Sequence, residues 1–204
     1  ASFVDLIGRQ VLLDKGANVD IKTHDEKSPL YIAASAGHDT IVWQLLAKGA
    51  DLNARTPDAW TPLHGAVLLG RSAAVQMLLE KGADVNAKTK EGWTPMYIAA
   101  SAGYDAVVQI LLDEGANINA ASKLGVQPLH RASQNGHDAV IELLLLNGAD
   151  CRARTNAGWT AEGIASSRGQ NNIAALLQTV LSEELRSGQK RPTLRRKSSR
   201  RGSA

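Results

Sequence analysis

The sequence has one cysteine, Cys151, so neither an intrachain disulfide nor a zinc site built from several thiolates is available to it. Aromatic residues make up only 4% of its 204 positions against 44% apolar residues in all, so a core must be assembled mainly from Ala, Leu, Val and Ile. No stretch approaches the roughly 20 apolar residues that span a bilayer, and the N-terminus lacks a basic region followed by a continuous apolar run. A soluble, intracellular chain, cytoplasmic or nuclear, is therefore expected. The first residue is Ala1, which suggests a processed form or a fragment. Catalytic signatures are also missing. None of His24, His38, His64, His130 and His137 lies in an HExxH pattern, and the glycines form neither GxGxxG nor a P-loop. No catalytic residue, metal ligand or cofactor is expected.

Charge is unevenly placed. Residues 186–204 carry 8 basic side chains and no acidic one, which leaves 15 basic against 20 acidic in 1–185, a net −5 beneath an overall +3. Glycine, by contrast, is plentiful and periodic. The strings KGANVD, KGADLN, KGADVN, EGANIN and NGADCR place Gly16, Gly49, Gly82, Gly115 and Gly148 at intervals of 33 residues. A second series, Gly37, Gly70, Gly103, Gly136 and Gly169, keeps the same period. So does a third, the strings SPLY, TPLH, TPMY, QPLH and TAEG beginning at Ser28, Thr61, Thr94, Gln127 and Thr160.

Each part of the period has a physical reading. A hydroxyl at Thr61 can cap free amides at a helix start, and Pro62 suits the first turn. Gly70 can take the left-handed conformation that ends that helix. A second helix carries Val75, Leu78 and Leu79 on one face and stops at Gly82. Residues 84–93 read as an extended segment with a turn at Glu91 and Gly92. The unit is helix, turn, helix, hairpin, and several must stack to cover their apolar faces.

The pattern G-x-T-P-L-H-x-A-A-x-x-G-H followed by L-L-x-x-G-A-D-V-N-A resembles the ankyrin repeat over about residues 8–181. The resemblance implies an all-α repeat solenoid of helix-turn-helix units joined by β-hairpin loops. Full repeats are expected at 25–57, 58–90, 91–123 and 124–156, with a terminal capping repeat at 157–185. Residues 1–24 form either a degenerate N-terminal cap or the remnant of a cut repeat. In the last repeat Ala161 replaces the proline, Gly163 is added, and the second helix runs on through Leu176, Leu177, Val180 and Leu181 into polar residues, as an exposed end requires.

The resemblance further implies that His64 and His130 tie neighbouring loops by hydrogen bonds, Tyr31 and Tyr97 holding that position elsewhere. It implies a partner on the concave surface formed by the hairpin tips and first helices. One row of positions there is Lys27, Trp60, Trp93, Val126 and Trp159; its tryptophans are either hot-spot side chains or covers for the adjacent hairpin. A second row includes Leu68, Leu69, Ser101, Gln134 and Asn135, of which the leucines form an exposed apolar patch or pack between repeats. The tip residues Arg55, Asp58, Lys88, Lys90, Glu91, Lys123 and Arg154 form a mixed rim leaning basic. Cys151 stands where Val19, Leu52, Val85 and Ile118 stand in other repeats and reads as a small buried residue.

The segment 186–204 holds too little apolar surface to fold alone, and disorder is expected. Its clusters Lys190–Arg191, Arg195–Arg196–Lys197 and Arg200–Arg201 suit nuclear import, nucleic acid or an anionic surface. Ser198, Ser199 and Ser203 follow arginines as substrates of basic-directed kinases do, and phosphate there would offset the positive charge. The expected function is a non-enzymatic, monomeric interaction module for a partner protein or peptide, modulated by this tail. The alternative is a nuclear or nucleic-acid-associated factor in which the tail is the main binding element.

Overall fold

The computed structural model describes residues 18–187. Ten helices occur among them, in five antiparallel pairs: α1 Pro29–Ala36 with α2 Asp39–Ala47, α3 Pro62–Leu68 with α4 Ser72–Glu80, α5 Pro95–Ala102 with α6 Asp105–Asp113, α7 Pro128–Asn135 with α8 Asp138–Leu146, and α9 Ala161–Ser167 with α10 Asn171–Ser187. No strand occurs among the described residues. The connecting hairpin is a tight turn: Thr89 N–H donates to Trp93 O at 3.0 Å and Gly92 N–H to Thr89 O at 2.9 Å.

Local chemistry sets the helix boundaries. Ser28, Thr61, Thr94 and Thr160 each accept a hydrogen bond from the backbone three residues on, and all four adopt extended φ/ψ. Gln127 fills the same position with the same backbone, but its Oε1 is buried without a hydrogen-bond partner. Gln127→Thr is therefore expected to raise stability by about 1 kcal/mol, by supplying the missing cap and removing a stranded acceptor. An unchanged denaturant midpoint would contradict this.

The first-helix glycines answer two demands at once. Gly103 has φ +77, and a Cβ there would stand 2.5 Å from Nδ1 of His137 in the next repeat. Gly70 has φ +65 and lies under the Tyr104 ring in the same way. Left-handed geometry and close approach of the next repeat both select glycine.

The helices form two layers. The odd-numbered helices stack into an inner layer and the even-numbered into an outer one, and the inner helices approach one another more closely. The cause is one column of side chains: Ala33, Ala66, Ala99, Ala132 and Ala165 recur at 33-residue spacing and are all 0% exposed. Bulkier residues, including Val42, Val75, Val108 and Ile141, fill the space toward the outer layer and are equally buried. The tighter inner layer curves the stack so that inner helices and turns lie on the concave side. Fully buried Leu30, Leu63, Leu78, Leu111, Leu129, Leu144 and Leu177 run through one continuous core, each contributing roughly 1.5–3 kcal/mol by leaving water.

Two polar ladders join successive repeats. At the base, Asp51 N–H donates to Asp20 Oδ1, Asp84 to Asn53, Asn117 to Asn86 and Asp150 to Asn119, at 2.7–3.2 Å. Arg152 occupies the next ladder position, but the residue at the corresponding donor position, Glu183, lies inside α10, and Arg152 pairs instead with Glu184 of that helix at 3.5 Å. At the tips, Lys90 N–H donates to Asp58 O, Lys123 to Glu91 O and Asn156 to Leu124 O, at 2.9–3.0 Å. The corresponding donor facing Asp25 is missing because Pro57 has no N–H.

Candidate functional site

The inner surface is held in place by ring packing and by hydrogen bonds between repeats. Trp60 and Trp93 meet edge to face with centroids 6.2 Å apart, and Trp93 stacks on Tyr97 at 5.7 Å and 8°. The Arg131 guanidinium lies 5.4 Å from the Tyr97 centroid, its Nε donates to the Tyr97 hydroxyl, and its Nη1 donates to Gln134 Oε1 at 2.7 Å. Aromatic, aromatic and cation thus follow one another across three repeats, each face satisfied by the next. Lys27 Nζ stands 5.9 Å from the Tyr31 centroid, a separate cation–aromatic pair at the first described repeat. Tyr31 in turn rests on Gly65, where a Cβ would lie 3.2 Å from the ring.

His64 is 0% exposed and binds on both sides of its ring. Nδ1 accepts from Thr61 N–H at 3.2 Å, so Nε2 carries the proton and donates to Trp93 O in the next repeat, also at 3.2 Å. Burial lowers its pKa to about 4, the carbonyls of Trp93 and Ala87 opposing only part of that desolvation. His130 repeats the arrangement, accepting from Gln127 N–H at 3.0 Å and donating to Ala153 O at 3.0 Å, and burial lowers its pKa as well. Both rings are loop ties. Cys151 is buried; its S–H donates to Glu184, and burial with the nearby Glu184 and Asp150 carboxylates pushes the thiol up to about 11. It stays protonated and unreactive at neutral pH. Among the described residues no group of three His, Cys, Asp or Glu side chains is placed to hold a metal ion. No helix there is long and apolar enough to cross a membrane.

The candidate binding residues fall into three settings. Trp60 and Trp93 are half-buried against the core and touch each other, whereas Val126 separates them from Trp159, which is 51% exposed. Leu68 and Leu69 are 44% and 49% exposed and stay out of the inter-repeat core. Ser101 and Asn135 stitch repeats together, since Ser101 O accepts from Asn135 Nδ2 at 2.7 Å and from His137 Nε2 at 3.1 Å. Arg55 of the rim donates to Lys88 O at 3.2 Å, and Lys90 faces Asp58 at 3.9 Å.

Two clefts open on this surface. One, about 330 Å³, includes Lys27, Tyr31, Pro57, Trp60 and Leu68 with Asp25 and Asp58, at the step where Pro57 breaks the tip ladder. The other, about 400 Å³, lies between the last two repeats and brings Val126, Gln134 and Trp159 together with Leu124, Ile164 and Arg168. Leu124 was absent from the sequence candidates. The signal for it is the tip register, where Asp25, Asp58 and Glu91 precede it and Leu124 breaks the acidic series. Lys190, Arg191, Arg195, Arg196, Lys197, Arg200 and Arg201, with Ser198, Ser199 and Ser203, lie outside the described residues.

These features define a helical-repeat scaffold with a structured concave surface. A family model described as ankyrin repeats (3 copies) matches residues 7–89, 56–122 and 86–155. The chain belongs to the ankyrin-repeat family, whose members generally mediate protein–protein interaction and are typically non-enzymatic. No curated protein sequence matches it.

Proposed function

We propose that this chain is a non-enzymatic module that holds a partner protein or peptide on its concave inner-helix and turn surface. The observation that carries the reading is the fixed row Trp60–Trp93–Tyr97–Arg131 flanked by the exposed Leu68 and Leu69. The row is fixed before binding, and the exposed Leu68 and Leu69 remain available to be buried by a partner. The basic segment with Lys190, Arg191, Arg195, Arg196, Lys197, Arg200 and Arg201 adjusts affinity or location, and phosphate on Ser198, Ser199 or Ser203 weakens that contribution.

The test is quantitative capture of partners by the full chain, by a chain ending at residue 185, and by Leu68→Glu/Leu69→Glu. The two leucines are exposed, so the variant should fold with an unchanged unfolding midpoint yet retain partners at least about tenfold less well. Undiminished retention moves the site off this surface. Nucleic acid retained only by the full chain, and lost steeply with added salt, would transfer the main binding role to the tail.

A further inference from the structure

We propose that the cleft between the last two repeats receives an acidic peptide segment carrying a bulky apolar side chain. The proposal rests on the concave-surface reading above and names the chemistry of the partner there. Leu124 is 69% exposed and Trp159 is 51% exposed on either side of the opening, with Val126 and Ile164 also lining it. A volume of about 400 Å³ suits one or two large side chains.

Charge settles the kind of partner. The turn and inner-helix strips 122–135 and 154–168 contain four cations, Lys123, Arg131, Arg154 and Arg168, and a single carboxylate, Glu162. Glu162 Oε1 is occupied by Ser166 Oγ at 3.0 Å and by Gln178 Nε2 of the outer helix at 3.1 Å. Arg131 is held by Tyr97 and Gln134, and Arg154 donates to Gly158 O at 2.7 Å. Arg168 lines the cleft and, among the described residues, its guanidinium has no hydrogen bond or ion pair. An uncommitted guanidinium beside an apolar opening takes a carboxylate in bidentate geometry.

The other cleft carries Asp25 and Asp58 as well as Lys27 and selects no sign of charge. The chain's own residues 186–204 are unsuited to the cleft at the last two repeats, because their eight cations would face Arg168, Arg154 and Lys123.

The experiment selects displayed random dodecapeptides on the immobilised full chain, then measures a synthesised winner by fluorescence anisotropy. The expected winners place Asp or Glu next to Leu, Phe or Trp. Their affinity should fall roughly tenfold with Arg168→Ala and further with Arg168→Glu, be lost with Trp159→Ser, and weaken with salt. Replacing the peptide's acid by lysine should recover binding to Arg168→Glu. Arg168 is exposed, and an unchanged unfolding midpoint in each variant keeps the comparison valid.

Basic or uncharged winners, no enrichment, or affinity indifferent to Arg168→Glu would overturn the proposal. So would self-association in sedimentation that Arg168→Glu abolishes, which would give the cleft to a second copy. Winners lost with Leu68→Glu/Leu69→Glu but not with Arg168→Glu would leave the concave surface standing and remove only this cleft. Winners indifferent to both variants would remove both.

Discussion

His64→Ala is expected to cost about 3 kcal/mol of unfolding free energy. The loss has two parts. Removing a fully buried ring leaves a cavity, and it strands both the Thr61 N–H and the Trp93 carbonyl, which belong to different repeats. Chemical denaturation would measure it, and a midpoint shift corresponding to less than about 1 kcal/mol would mean the loops hold without the tie.

The same residue makes the fold sensitive to acid. Its folded-state pKa is lowered to about 4 from the ordinary 6.5, so between these values the unfolded chain binds the proton more readily. Stability is fully present above pH 6.5 and is lost as pH falls toward 4, by roughly 3 kcal/mol from this group. The lowered pKa of His130 acts in the same direction. In His64→Ala the first contribution is missing, so the stability gap from the parent chain should narrow as pH drops through this window. A gap independent of pH would refute the linkage.

The repeat was legible because it is written in residues whose roles are local. A cap at Thr61, a proline at Pro62 and left-handed glycines at Gly70 and Gly82 act within a few residues of themselves, so spacing alone placed the helices. The burial of Val75, Leu78 and Leu79 followed from the same periodicity. The site was harder to read because it is made across the period. Trp60, Trp93 and Trp159 share one register, yet only the first two touch, since Val126 intervenes. Ser101 and Asn135 read as two surface positions, but an offset of 34 residues between neighbouring inner helices joins them by a hydrogen bond. The cleft with Leu124 is built from the turns and inner helices of two successive repeats, and the opening at Pro57 depends on a donor that is missing from the tip ladder. In each case the deciding contact lies in the adjacent repeat.

That dependence on neighbours leads to the second large effect, in which one substitution has different consequences at two places. Leu111 in α6 and Leu177 in α10 are both 0% exposed, and either change to alanine removes similar apolar volume, about 3 kcal/mol of packing. Leu111 lies in a repeat with stacked neighbours on both sides. Loosening it weakens two interfaces, so Leu111→Ala should lower the cooperative transition of the whole array and reduce amide-exchange protection in the helices on either side. The α9–α10 pair has a described neighbour on one side only, and Leu177→Ala should lower protection chiefly in residues 157–187 while α3 to α6 stay protected. Because Trp159, Ile164 and Arg168 belong to that pair, Leu177→Ala should also weaken a cleft-bound acidic peptide without touching it. Equal loss of protection throughout the array in both variants would show that the stack unfolds as one unit and that its last repeat has no separate freedom to open.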